Sequence, residues 1–287
     1  NRSWSRLSVC SAGRVEDRSL SAMRTDVNQY WDSVAGRWQE ESPQKLWRSY
    51  CDALNGELIR KHLSGNGAAR ALKTDLFDEA TSSSGLVPYL AESARSVTGF
   101  DLSHLTSRLA RNRHTELTTC TADTRSLPFA DAVFDIVLSN STLDHFESAD
   151  DIAVSLGEIA RVMRPGGRLL LTLDNLANPV IALRSVLPHR MLQRLGLVPY
   201  FTGATCGPWR LKKLILQAGL EPWYRGTMMH CPRVPAVATA NLLDRFAQNS
   251  FKSGYLKFLS GWEALERLPT RHITAYFITV LAERPNR

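Results

Sequence analysis

Glu158-Ile-Ala-Arg-Val-Met-Arg-Pro-Gly-Gly-Arg168, running into Leu169-Leu-Leu-Thr-Leu173, carries a helix into a strand through one tight turn. Pro165 stops the helix, because it has no N–H to give and crowds the preceding turn. The glycine pair supplies the backbone freedom that the reversal needs. The apolar run that follows is strand-sized and nearly continuous, as a strand covered on both faces must be.

Outward from that passage the same alternation repeats. Short apolar runs at 71–76, 96–100, 116–121, 134–139 and 167–173 alternate with helical stretches at 86–93, 104–113 and 150–163. Strands separated by helices predict βαβ units and a parallel sheet. Downstream, 183–197 and 208–218 read as helices, 220–227 as a strand, 235–268 as mostly helical, and 273–282 as an apolar strand. That order adds two strands to the sheet edge, with a helical insertion between them. Upstream, Tyr30, Trp31, Val34, Ala35 and Trp38 recur at helical spacing and make one aromatic face, and a second helix is expected over 47–63. The expected architecture is α/β: a Rossmann-like, mostly parallel seven-stranded sheet with a helical N-terminal segment and a helical lid insertion. Its parts are a disordered leader (1–22), a helical cap (23–62), a nucleotide-binding core (63–178), and a lid with the last two strands (179–287).

Hydrophobic residues make up 44% of the 287 and charged residues 22%, a globular balance. No apolar run approaches the roughly 20 residues that span a bilayer. Cys10, Cys51, Cys120, Cys206 and Cys231 are scattered, without a C-x-x-C pair, which argues against a disulfide framework and for a reducing, cytoplasmic setting. Charge is uneven: ten basic against eight acidic residues in 1–62, ten against fifteen in 63–178, and fifteen against five in 179–287. An acidic middle followed by a basic last third suggests two jobs in one chain.

The chemistry is read at strand ends. In Thr98-Gly-Phe-Asp-Leu-Ser103, Asp101 ends a strand, and a carboxylate there can accept hydrogen bonds from both ribose hydroxyls of a nucleotide cofactor. Asp123, in Thr121-Ala-Asp-Thr124, follows the next strand, and Asn140, Thr142 and His145 lie past Phe134-Asp135-Ile-Val-Leu-Ser139. Open α/β sheets bind ligands at that carboxyl edge. His145 suits a general base because imidazole titrates near neutrality.

Taken in order, G-F-D-L-S, A-D-T, L-P-F and the R-V-M-R-P-G-G phrase resemble class I S-adenosylmethionine-dependent methyltransferases of the small-molecule, type-11-like kind, across about residues 26–287. The resemblance implies S-adenosylmethionine as cofactor. It implies Thr74, Asp75, Gly85, Asp101, Leu102, Ala122, Asp123, Thr124, Asn140 and Ser141 as cofactor residues, with Asp75 on the ammonium group and Asp123 on the adenine. It places His145 and His230 around the nucleophile, and Tyr30, Trp38, Thr142, Asn175, Asn178 and Arg233 against the acceptor. No metal is expected. The departure is the first strand: Lys73-Thr-Asp-Leu-Phe-Asp-Glu79 stands where the family has a glycine-rich loop, with a serine-rich stretch ending at Gly85 behind it.

The expected reaction is methyl transfer to an O, N or C nucleophile of a small molecule, anionic or lipophilic. Two alternatives stay open: a non-catalytic binding or regulatory subunit, and an RNA methyltransferase. DNA is not expected as a partner, a small molecule is expected ahead of RNA, and the basic helix over 183–197 leaves peripheral membrane contact open.

Overall fold

The computed structural model describes residues 13–286 except 42, 64–68, 83, 84, 196, 197 and 199, with side chains described from residue 27 onward. The elements run α1 (Gly13–Glu41), α2 (Lys45–Leu63), β1 (Ala69–Thr74), α3 (Phe77–Thr81), α4 (Val87–Ala91), β2 (Ala94–Asp101), α5 (His104–Arg113), β3 (Leu117–Thr121), β4 (Phe134–Asn140), a 3-10 turn (Leu143–His145), α6 (Ala149–Val162) and β5 (Met163–Asp174). There follow α7 (Pro179–Val186), α8 (His189–Arg194), α9 (Pro208–Gln217), β6 (Glu221–Met228), α10 (Arg233–Phe246), α11 (Asn249–Gly261), a 3-10 stretch (Trp262–Arg267), α12 (Arg271–Thr274) and β7 (Phe277–Glu283).

One seven-stranded sheet has the order β3-β2-β1-β4-β5-β7-β6. The first five strands pair in parallel, and β7 runs antiparallel to both β5 and β6. Alternate residues of β5 feed opposite faces: Leu169, Leu171 and Leu173 join the core beneath α6 and α9, while Leu170 joins the core beneath α2, α4 and α5. A third core lies apart from both, where Trp47 and Tyr50 of α2 meet Ala236 and Ala240 of α10, Leu259 of α11 and Ile181 of α7. Cap and lid thus share a core of their own.

Several boundaries differ from expectation for local reasons. The expected leader is partly structured: α1 already begins at Gly13, and residues 14–22 hold no proline or glycine to interrupt it. Residues 1–12 lie outside the described residues. β5 starts before the glycine pair, because Gly166 donates to the Arg284 carbonyl and Arg284 to that of Gly167, which extends the ladder with β7. The helix expected over 183–197 is two, interrupted at Pro188, and the first begins at Pro179, where Asn178 caps it. β7 begins only at Phe277, since 271–274 form the short helix α12.

Candidate functional site

β1 and β4 end side by side, with β2 and β5 outside them, so their carboxyl ends open a common crevice. On the β1–β2 side Asp101 is half-buried, and its carboxylate accepts from the backbone N–H of Leu76 (2.9 Å) and of Ser103 (2.8 Å). Asp75 sits in the left-handed region (φ 67°) and accepts from the Phe77 N–H at 2.7 Å. Burial, and then its mutual repulsion with Asp75, pushes Asp101 up to about 8, and the two backbone bonds only partly offset this. Burial also raises Asp75, against the pull of Lys73 and His145. The crevice therefore holds two close carboxyls that resist ionising together.

The glycine-rich loop is replaced by an ion pair. Lys73 and Glu79 are both buried and meet at 2.9 Å, and Lys73 also donates to the Asp75 carbonyl. Glu79 in turn accepts from the Leu86 N–H at 2.8 Å. Gly85 (φ 67°) is required here, because a Cβ would stand 2.9 Å from Glu79 Oε1. Gly85 thus seats Glu79, a structural role beside the one expected of it. Leu76 lies against Gly99 of β2, where a Cβ would come within 2.5 Å of it.

Elsewhere along the cofactor edge, side chains are already partnered. Asp123 is gripped by Arg125 (2.7 Å), which also reaches Asp151 (3.0 Å). The Ala122 N–H donates to the Asp101 carbonyl, Thr124 is buried, and Leu102 is half-buried beside Asp101. Asn140 accepts from the Thr172 hydroxyl (2.8 Å), Ser141 donates to Asp144 (2.8 Å), and Thr142 meets Thr74 (2.7 Å).

Beyond β4 the aromatic face of α1 closes over the crevice. Trp31 packs edge-on against His145 (centroids 5.1 Å) and next to Tyr200 (5.9 Å), while Trp38 meets Phe77 (5.2 Å) and Tyr200 (5.8 Å). The Tyr30 hydroxyl accepts from the Phe201 N–H at 2.8 Å, which pins the loop that carries Tyr200. His145 Nδ1 lies 3.0 Å from the Phe201 carbonyl. A carbonyl can only accept, so Nδ1 carries a proton, and in the neutral ring Nε2 holds the lone pair. Asp144 Oδ1, buried and without a hydrogen-bond partner, lies 3.9 Å from that Nε2.

Across the β5 and β7 ends, Asp174 is paired with Arg184, which also donates to the Tyr276 hydroxyl at 3.2 Å. Arg233, half-buried at the start of α10, stacks on the Tyr276 ring at 4.5 Å. Its guanidinium forms neither a hydrogen bond nor an ion pair with any described residue, and Asp174 is the carboxylate near enough to favour its charge.

Three expected acceptor-side residues are structural. Asn175 is fully buried and donates to the carbonyls of His272 (2.6 Å) and Ala275 (3.0 Å). Asn178 caps α7 and donates to the carbonyls of Thr274 and Ala275. His230 is enclosed, with Nδ1 on Thr274 (2.8 Å) and Nε2 facing Thr227 and Glu266 (3.4 and 3.5 Å), so neither ring nitrogen is open to an acceptor. Asp144, Tyr276 and the pairing of Asp174 with Arg184 were not foreseen from the sequence.

Among the described residues no group of three or more His, Cys, Asp or Glu is placed to hold a metal, and no helix is long and apolar enough to cross a membrane.

Residues 78–171 match a family model described as a methyltransferase domain. The chain is 37% identical over 105 residues to a demethylmenaquinone methyltransferase of Corynebacterium kroppenstedtii, covering 37% of this chain and 43% of that protein. It is 32% identical over 139 residues to a fatty-acid O-methyltransferase of Mycolicibacterium smegmatis, covering 47% and 50%. The chain thus spans half or less of the length of these curated relatives. In fold it is similar to the geranyl diphosphate C-methyltransferase of Streptomyces coelicolor A3(2), with a TM-score of 0.52 and 11% identity over 81% of this chain and 78% of that one.

Proposed function

We infer that this chain, which belongs to the class I S-adenosylmethionine-dependent methyltransferases, transfers the sulfonium methyl of that cofactor to a small acceptor bearing an anionic group. The observation that carries the acceptor class is Arg233, a half-buried guanidinium with no carboxylate of the described chain against it. A desolvated cation held on an aromatic ring selects an anion. The relative named for a fatty acid supports this reading, since that acceptor carries a carboxylate.

The residues present fit the cofactor at two points: a carboxyl at the end of β2 for the ribose hydroxyls, and Asp75 beside β1 for the ammonium group. When bound, the cofactor supplies an electrophilic methyl group. The chain aligns and desolvates the reactants, with the aromatic wall of Trp31, Trp38, Phe77 and Tyr200 excluding water. Held there, S-adenosylmethionine would offer that methyl to the acceptor's lone pair and would leave as S-adenosylhomocysteine. The acceptor's proton passes to His145 Nε2, and Asp144 Oδ1 faces the resulting imidazolium.

A second reading, a non-catalytic binding protein of the same family, is favoured by the Lys73–Glu79 pair and by the backbone N–H groups already seated on Asp101. Calorimetric titration with S-adenosylmethionine and S-adenosylhomocysteine separates the two. Saturable binding of both, weakened in Asp101→Asn, is expected. No heat from either ligand discards the transfer reading.

A further inference from the structure

From Asp174 to Glu221 the chain carries no acidic residue, while Arg184, Arg190, Arg194, Arg210, Lys212 and Lys213 fall in that interval. Its first part is the helix pair α7 and α8. Ile181 and Leu192 turn inward and are buried, but Leu183, Val186 and Leu195 are 59, 77 and 63% exposed. Arg190 and Arg194 are exposed among them. A soluble surface rarely leaves large aliphatic side chains this open on two successive helices. An apolar face interleaved with arginines, on helices that carry no carboxylate of their own, suits a surface that is greasy inside and negatively charged outside.

We propose that α7 and α8 dock this protein on an anionic lipid surface. The inference is independent of the methyl-transfer reading. Charge selects the occupant: a second copy of the same face would bring Arg190 and Arg194 against their own kind, and a nucleic acid would leave Leu183, Val186 and Leu195 without an apolar partner. Beside the pair lies a cavity of about 300 Å³, lined in part by Leu187, His189 and the inward-turned Leu192, by Arg184, and by Glu147 on the other side. Arg184 also holds Asp174 and the Tyr276 hydroxyl, so the cavity shares a wall with the crevice where Arg233 lies. An amphiphile leaving the lipid would meet this cavity before the crevice.

The test is co-sedimentation of the purified full chain with phosphatidylcholine vesicles, with and without phosphatidylglycerol, over a salt series. Binding to the phosphatidylglycerol vesicles is expected, at least about tenfold stronger than to phosphatidylcholine alone and falling with salt. Arg190→Glu with Arg194→Glu should abolish that preference, and Leu183→Ser with Val186→Ser should lower binding about tenfold, both with unchanged melting temperature. The targeted side chains are exposed, and circular dichroism identifies any variant that fails to fold. Arg60→Glu, on a distant exposed pair with Glu92, is the charge control that keeps the result readable. No vesicle binding, or binding that the α7–α8 variants leave intact, overturns the proposal. Concentration-dependent dimerisation lost in the Leu183/Val186 variant without vesicle binding overturns it in favour of a second copy. Salt-dependent RNA binding without vesicle binding overturns it in favour of nucleic acid.

Discussion

The two halves of the crevice are built on opposite plans. Along the β1–β2–β3 side most charged groups have a partner in the chain: Lys73 has Glu79, Asp123 has Arg125, and Asp101 has two backbone N–H groups that partly offset its repulsion with Asp75. From β4 across to the β7 end, Asp174 has Arg184, but Arg233 rests on a ring with no carboxylate in ion-pair reach, and Asp144 keeps a buried oxygen without a hydrogen bond. The first side is closed by its own chemistry and the second is open by its own chemistry. A group satisfied internally contributes to stability, and a group left open is held at a cost that a ligand removes.

The sharpest break in this contrast is Lys73→Met. It strands Glu79 as an uncompensated buried carboxylate and should cost about 3–5 kcal/mol, read by urea denaturation. A loss no larger than that of an average surface substitution would show that the pair does not hold the loop. Next in size is Asp101→Asn, expected to weaken S-adenosylmethionine binding by about 1–3 kcal/mol in calorimetry. Its pH dependence sharpens the comparison. A carboxyl raised by folding stabilises the free protein below its ordinary range, and that contribution is lost as pH rises through about 8. Wild-type melting temperature should therefore fall toward alkaline pH more steeply than that of Asp101→Asn, and parallel curves would contradict the assignment.

Arg233→Met removes the contact with the Tyr276 ring, should cost about 1 kcal/mol of stability, and should abolish turnover of an anionic acceptor. Unchanged turnover would mean that the guanidinium only packs on the ring. Smallest is Arg60→Ala, which removes an exposed pair with Glu92 and should leave the melting temperature unchanged.

The sequence exposed what is local and hid what is distant. Strands, and the positions of Asp75 and Asp101 at their ends, follow from apolar runs and punctuation that lie within a few residues of each other. The capping role of Asn178 was equally local, since it stands directly before Pro179, yet the functional reading overrode it. Asn175 and His230 were beyond reach. Their partners at 272–275 and at Glu266 are set by how the insertion folds back on the sheet, which no spacing in the sequence encodes. Arg233 was singled out for its type and place, but its lack of a partner is a property of the surroundings. The Lys73–Glu79 pair was legible as two charges six residues apart, and only the turn at Gly85 brings them to burial.

The order of the sheet has a consequence for how the molecule is made. β7, the last strand in the chain, lies between β5 and β6, and the cap helix α2 bonds α10 and the following 3-10 stretch across nearly the whole length, Leu46 to Asp244 and Tyr50 to Glu263. A chain emerging from the ribosome can pair β1 to β5 as it is synthesised, but β6 has no place until β7 is free. The roof over the crevice is then completed only once β7 has been made, so β1 to β5 can pair while the cap and the insertion still hang open.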